Sequence, residues 1–292
     1  MKNIYWLFIS IIFLPACKKD AVDFHFDVTT NGTTFKAGQD IVFNFTGNPD
    51  NMTFYSGEPG TNYANRNRTS IKGSPKLNFT SLIKNGVQVN ALALLASTDF
   101  IGTYDSAHVV SATWTDITSR AVLSNGLDNT PSGTIDLSDL VVEGKPLYLA
   151  YKFIGQAGSS QRSCVIRTFN VIDYSPDDPP ATLTDINNAG WLGISLLGPT
   201  IKWSIATDIV RIDGATGTTA TANLDYVITK ALYPDKVQPD LGVALKNMSS
   251  YLSSYSYRYA VPGTYKIAFV ASNIRTNDEK TVVREMTVTV TP

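Results

Sequence analysis

Histidine, cysteine and glutamate are scarce in this 292-residue chain. Two histidines and two cysteines are too few for the three or four His, Cys or carboxylate ligands a zinc site usually takes without heavy use of carboxylates. They are also too few for a disulfide framework. The sequence contains no His-Glu-x-x-His, no phosphate-binding loop, no Gly-x-Ser-x-Gly and no EF-hand loop. No metal ion and no cofactor is therefore expected. A formal net charge of −1 supplies no field for nucleic acid. No apolar run approaches the ~20 residues that span a bilayer as a helix. Only four of the 25 acidic residues are glutamate, and 21 are aspartate. Glutamate suits helix interiors and aspartate suits turns and caps, so long helices are not expected.

What is present begins with a leader. Lys2 precedes an apolar run from Ile4 to Leu14 and the small residue Ala16, the pattern of a secretory signal peptide. Leu14-Pro15-Ala16-Cys17 resembles a bacterial lipobox, in which cleavage falls before the cysteine and its sulfur receives diacylglycerol. The resemblance implies a signal peptide at 1–16, lipidation of Cys17, a tether at 17–23 and a membrane held through lipid. Two or more acyl chains make such attachment stable where one does not. Cys164, in Cys164-Val165-Ile166, then has no disulfide partner and reads as a buried, inert thiol.

Thr, Ser, Asn, Gly and Tyr are abundant, and short alternating runs recur between turn signals. This predicts an all-β chain of sandwich modules. Ile41, Phe43 and Phe45 fall on one face of a strand, as do Leu147, Leu149, Tyr151 and Phe153. Val109 to Trp114 is read as a further strand. Ser175-Pro176-Asp177-Asp178-Pro179-Pro180 marks a connector, because proline cannot feed a central sheet. These signals divide the chain into a sandwich segment at 24–72, a sandwich at 73–174, a Pro-rich linker at 175–184 and a C-terminal sandwich at 185–292.

Tyr257 to Asn273, centred on Pro262-Gly263-Thr264-Tyr265, resembles the closing hairpin of polycystic-kidney-disease (PKD) repeats, which are immunoglobulin-like. Phe35-Lys36-Ala37-Gly38 through Phe45 resembles the opening half. The repeat's Trp-Asp-Phe-Gly-Asp-Gly block is absent, which leaves either two Ig-like units or one split unit with an insertion. Ser97-Thr98-Asp99-Phe100, Ala112-Thr113-Trp114-Thr115, Gly133 to Ser138 and Leu147 to Tyr151 resemble the galactose-binding-like jelly rolls of cleaved adhesins. The whole chain resembles an uncharacterised family of Bacteroidota surface lipoproteins, domain of unknown function 5017. In that family Gly47-Asn48-Pro49-Asp50 and Phe54-Tyr55-Ser56-Gly57-Glu58 are characteristic. The resemblance implies placement at the cell surface and binding of glycan or protein, and it supplies no catalytic residues.

Candidate binding chemistry lies in the aromatics, since a sugar's C–H face stacks on an open ring. Trp114, Trp191 and Trp203 supply rings. Tyr255, Tyr257 and Tyr259 share a strand face, either as a platform or as core residues of the hairpin. Tyr55, Tyr63, Arg66 and Arg68 cluster around a Gly/Asn-rich loop, the place where binding groups often sit. Asp105-Ser106-Ala107 resembles the O-glycosylation site of exported Bacteroidota proteins, which points to Ser106. Asp99, Asp105 and Asp116 are candidate calcium ligands, with plain turns as the alternative. Ser81-Leu82-Ile83-Lys84 matches a serine–lysine nucleophile by four letters and reads as chance.

The expected function is a non-enzymatic, lipid-anchored outer-membrane protein that captures glycan for a polysaccharide-uptake system, with an outer-membrane transporter as a neighbour. An adhesive or structural protein contacting other surface proteins is the alternative. A glycan-active hydrolase needs two suitably placed carboxylates and ranks third.

Overall fold

The computed structural model describes residues 23–176, 178–275 and 278–292. The expected signal peptide, the expected lipidation site Cys17 and nearly all of the expected tether lie outside these residues, as does Asp177. The chain divides into two compact units. One joins the residues up to Arg66 to Asp240–Pro292, and the other is Asn67–Pro239. In sequence, the second is inserted into the first.

The first unit opens with β1 (Asp27–Thr30), β2 (Thr34–Lys36), β3 (Asp40–Thr46) and β4 (Asn51–Tyr55). The second unit contributes β5 (Pro75–Lys84), β6 (Leu92–Ser97), α1 (Ser106–Ser111), β7 (Thr115–Asp116), β8 (Thr130–Pro131), β9 (Ile135–Asp136), β10 (Tyr148–Gly155) and β11 (Ser163–Asp173). It continues through β12 (Ala181–Asp185), β13 (Leu192–Leu197), β14 (Ser204–Ala206), β15 (Ile209–Asp213) and β16 (Asn223–Ile228). The chain then returns to the first unit with β17 (Val243–Lys246), β18 (Ser254–Arg258), β19 (Gly263–Arg275) and β20 (Asp278–Thr291). The protein is all-β, built as sandwich modules.

In the first unit, a sheet of order β1-β3-β18 faces one of order β17-β4-β19-β20-β2. Ile41 and Phe43 of β3 point inward, as the alternation requires. Phe43 and Phe54 meet Phe269 with ring centroids 5.1 and 5.0 Å apart. The long β19–β20 hairpin supplies Ile267, Phe269, Val288 and Val290 to the same core.

In the second unit, a sheet of order β13-β16-β10-β6-β7 packs against one of order β14-β15-β11-β5-β8, to which β12 and β9 also pair. Leu149, Tyr151 and Phe153 of β10 enter the core between the sheets. Tyr148 and Ala150 face a smaller cluster on the other side, with Phe100 and Val109. Cys164 is free and fully buried in the main core, and burial pushes its thiol up to about 12.

Three sequence expectations are corrected. Val109 to Trp114 is not a strand: its first three residues end the helix Ser106–Ser111, which the Asp105 carboxylate caps by accepting from the His108 N–H at 2.9 Å. The proline cluster is a hairpin connection: β12 pairs antiparallel with β11, so the chain returns to the sheet it has just left. The boundaries at 72 and 185 move accordingly, since residues 185–239 belong to the inserted unit and 240–292 close the first. Prolines break strands wherever they stand, and a break in a strand does not by itself mark the end of a domain.

Candidate functional site

The sequence candidates separate by unit. Tyr55 and Tyr63 meet edge to face at 5.3 Å, and the Arg66 guanidinium lies 4.0 Å from the centre of the Tyr63 ring. Arg66 also donates to the Tyr63 carbonyl at 2.9 Å. The structure therefore brings Tyr55, Tyr63 and Arg66 together, with one Tyr63 face already occupied by its own arginine. Arg68 lies in the inserted unit, where it pairs with Asp178 at 2.6 Å.

The tyrosine face takes the core alternative, and Trp191 and Trp203 are corrected as open binding rings. Trp191 is buried with its ring 4.8 Å from Phe169, and its Nε1–H donates to the Ile186 carbonyl at 3.2 Å. Tyr255 packs its ring 5.1 Å from Phe54, and Tyr259 is fully buried. Trp203 is buried in the main core of the inserted unit. Burying these large apolar rings stabilises cores that have no disulfide support. The candidate calcium ligands serve as local acceptors: Asp99 for Ser97 and Thr113, Asp105 for His108, and Asp116 for Thr118. Among the described residues no three His, Cys, Asp or Glu side chains gather as a metal would require.

A different place carries unsatisfied chemistry. Strand β13 is one edge of its sheet and, among the described residues, pairs with β16 alone. The segment after it crosses to β14 of the facing sheet, and Trp203 lies against Gly193, with its Cβ 3.5 Å from where a Cβ at that glycine would stand. Beneath this crossover is a cavity of about 470 Å³, lined by Gly193, Ile194 and Ser195 of β13, by Pro199, Lys202 and Trp203, by Asp225, and by Tyr104 and Ser106. The volume is within the usual range for small-ligand pockets.

Asp225 sits mid-strand in β16, with Ser195 and Phe153 as its register partners. Alternation along β16 puts it on the same face as Val227, toward the core between the sheets. The residue is only 1 % exposed, and neither carboxyl oxygen has a hydrogen-bond partner among the described residues. The Ser195 hydroxyl is turned to the Leu197 carbonyl, 3.5 Å away. Burial pushes the Asp225 carboxyl up to about 6, against smaller downward pulls from Ser195 and the Lys202 ammonium. The buried Trp203 Nε1–H also lacks an acceptor. Two residues of one cavity lining thus carry an orphaned acceptor and an orphaned donor, both buried, where native cores satisfy nearly all such groups.

The remaining polar groups of the cavity differ. The Tyr104 hydroxyl is committed to the Thr229 carbonyl at 2.8 Å. Ser106 is exposed at the start of α1. The sequence reading passed over Asp225, although an aspartate inside Leu224-Asp225-Tyr226-Val227-Ile228 is itself a signal. An acid in an apolar strand that buries it needs a reason.

Comparison with curated proteins finds no match. The family described as "Domain of unknown function (DUF5017)" matches residues 16–191. Tyr104 and Ser106 fall inside that range, and the rest of the cavity lining, Gly193 to Asp225, follows it. The matched stretch covers more than half of the sequence, and the chain belongs to the DUF5017 family.

Proposed function

We propose that this is a non-catalytic binding protein of a bacterial outer membrane, anchored by lipid on Cys17, which captures glycan in the cavity beneath the β13–β14 crossover. The carrying observation is the pairing of Asp225 and Trp203 there, both buried and both without partners. A carboxylate accepts two hydroxyl hydrogens, and an indole N–H donates to a third oxygen. A polyhydroxylated ligand supplies that complement. Asp225 is the one carboxylate lining this cavity, which favours binding over hydrolysis by a carboxylate pair.

The leader, with Lys2, the run from Ile4 to Leu14 and Ala16-Cys17, supports lipid anchoring of a Bacteroidota type. On this reading the first unit is a PKD-like spacer and the inserted unit a galactose-binding-like jelly roll. Capture at the surface raises the local ligand concentration for a neighbouring outer-membrane transporter. Ser106, at the cavity lining, is the proposed O-glycosylation site.

A second reading, adhesion to other surface proteins, draws on the free edges. Leu192 and Leu197 of β13 and Ile205 of β14 are about half exposed, on strands that offer unpaired backbone groups. A glycan array probed with the full chain in detergent, beside Asp225→Asn and Trp203→Phe, separates the two. Glycan signal lost in both variants supports capture in the cavity, and no signal with any glycan overturns it.

A further inference from the structure

Building on the capture proposal, we infer that the occupant of this cavity carries an ammonium group beside its hydroxyls, as an unacetylated amino sugar does. The argument starts from charge. A buried carboxylate with two free oxygens is costly because it has lost water and gained no partner in return. Hydroxyl donors offset part of that cost, and a cation with several N–H donors offsets more, since hydrogen bonds between charged groups are about twice as strong as neutral ones.

The surroundings leave that place open. The register partners Ser195 and Phe153 carry no charge. The other titratable groups lining the cavity are Lys202, which is exposed and makes no ion pair with Asp225, and Tyr104, whose hydroxyl is already committed. Trp203 lines the same cavity and its Nε1–H has no acceptor, so one ligand can offer an ammonium to Asp225 and an oxygen to Trp203 Nε1. At neutral pH the carboxylate is mostly ionised. Below about 6 it takes a proton and the preference for a cation fades.

The test is calorimetric titration of the full chain in detergent with glucosamine, N-acetylglucosamine and glucose. Glucosamine is expected to bind about tenfold tighter than the other two near neutral pH, the scale of one charged hydrogen bond. That margin shrinks about fivefold or more at a pH one to two units lower. Asp225→Asn removes the preference, whereas Trp203→Phe weakens all three sugars alike. Equal affinities for the three, each lost in Asp225→Asn, overturn the ammonium assignment and leave glycan capture standing. Absence of binding by all three overturns the assignment as well, and the glycan array then decides the wider reading.

Discussion

The Tyr257 hydroxyl donates to Glu58 Oε2 at 2.5 Å across 199 residues of sequence. Ser56 Oγ donates to the same oxygen at 3.0 Å, and the Tyr259 hydroxyl donates to the Ser56 carbonyl at 2.6 Å. Burial first, and the Glu58 carboxylate second, push the Tyr257 phenol up to about 12. The two halves of the first unit are joined at this point. Phe54-Tyr55-Ser56-Gly57-Glu58 is therefore a structural joint, and its partners, the half-buried Tyr257 and the buried Tyr259, belong to the tyrosine face read from the sequence as platform or core. Tyr257→Phe is expected to cost about 1–2 kcal/mol, the loss of a hydrogen bond to a charged group, read by urea denaturation. No loss would remove the joint from the account.

Gly57 stands at φ 79°, and a Cβ there would lie 2.6 Å from the Lys266 carbonyl oxygen. Both the left-handed backbone and the close approach exclude a side chain. Gly57→Ala should destabilise the chain by more than ~1 kcal/mol. A neutral result in thermal unfolding would contradict the packing described.

Trp191 and Trp203 are both buried, yet their substitutions should behave differently. Trp191→Phe gives up the bond to the Ile186 carbonyl and is expected to lose about 1–2 kcal/mol. Trp203→Phe gives up an N–H with no acceptor, so its stability cost should be smaller while glycan binding falls. Equal stability losses would mean that the Trp203 N–H is already satisfied in the fold.

The proposed lipid anchor rests on Cys17. Cys17→Ser should abolish fatty-acid labelling and move the protein out of the membrane fraction, since stable attachment needs more than one acyl chain. Unchanged labelling and fractionation would refute the anchor.

Sequence alone carried the all-β class, because turn-rich aspartate and short alternating runs are local signals. It also gave the inward faces of Ile41, Phe43, Leu149, Tyr151 and Phe153. It did not carry the pairing partners. Whether Pro176, Pro179 and Pro180 end a domain or turn a hairpin depends on where the next strand lies down, which is a long-range property. The same limit applied to the aromatics. Period-two spacing placed Tyr255, Tyr257 and Tyr259 on one face without showing that the face turns inward. Asp225 was legible only as an anomaly, since its meaning depends on which groups do not surround it.

A carboxylate held without partners inside the fold should weaken that fold whenever it is ionised. The folded state raises Asp225 from 3.8 to about 6, so it binds the proton more tightly than the unfolded chain does. That contribution is complete at pH values below the unfolded value and is lost as pH rises through about 6. The decisive measurement is urea denaturation of the ligand-free full chain and of Asp225→Asn across this window. The variant is expected to match the parent at the acid end and to exceed its stability by about 1–3 kcal/mol near neutral pH. A variant less stable than the parent near neutral pH would show that the chain's own groups hold the carboxylate, and the cavity would lose its claim as a binding site.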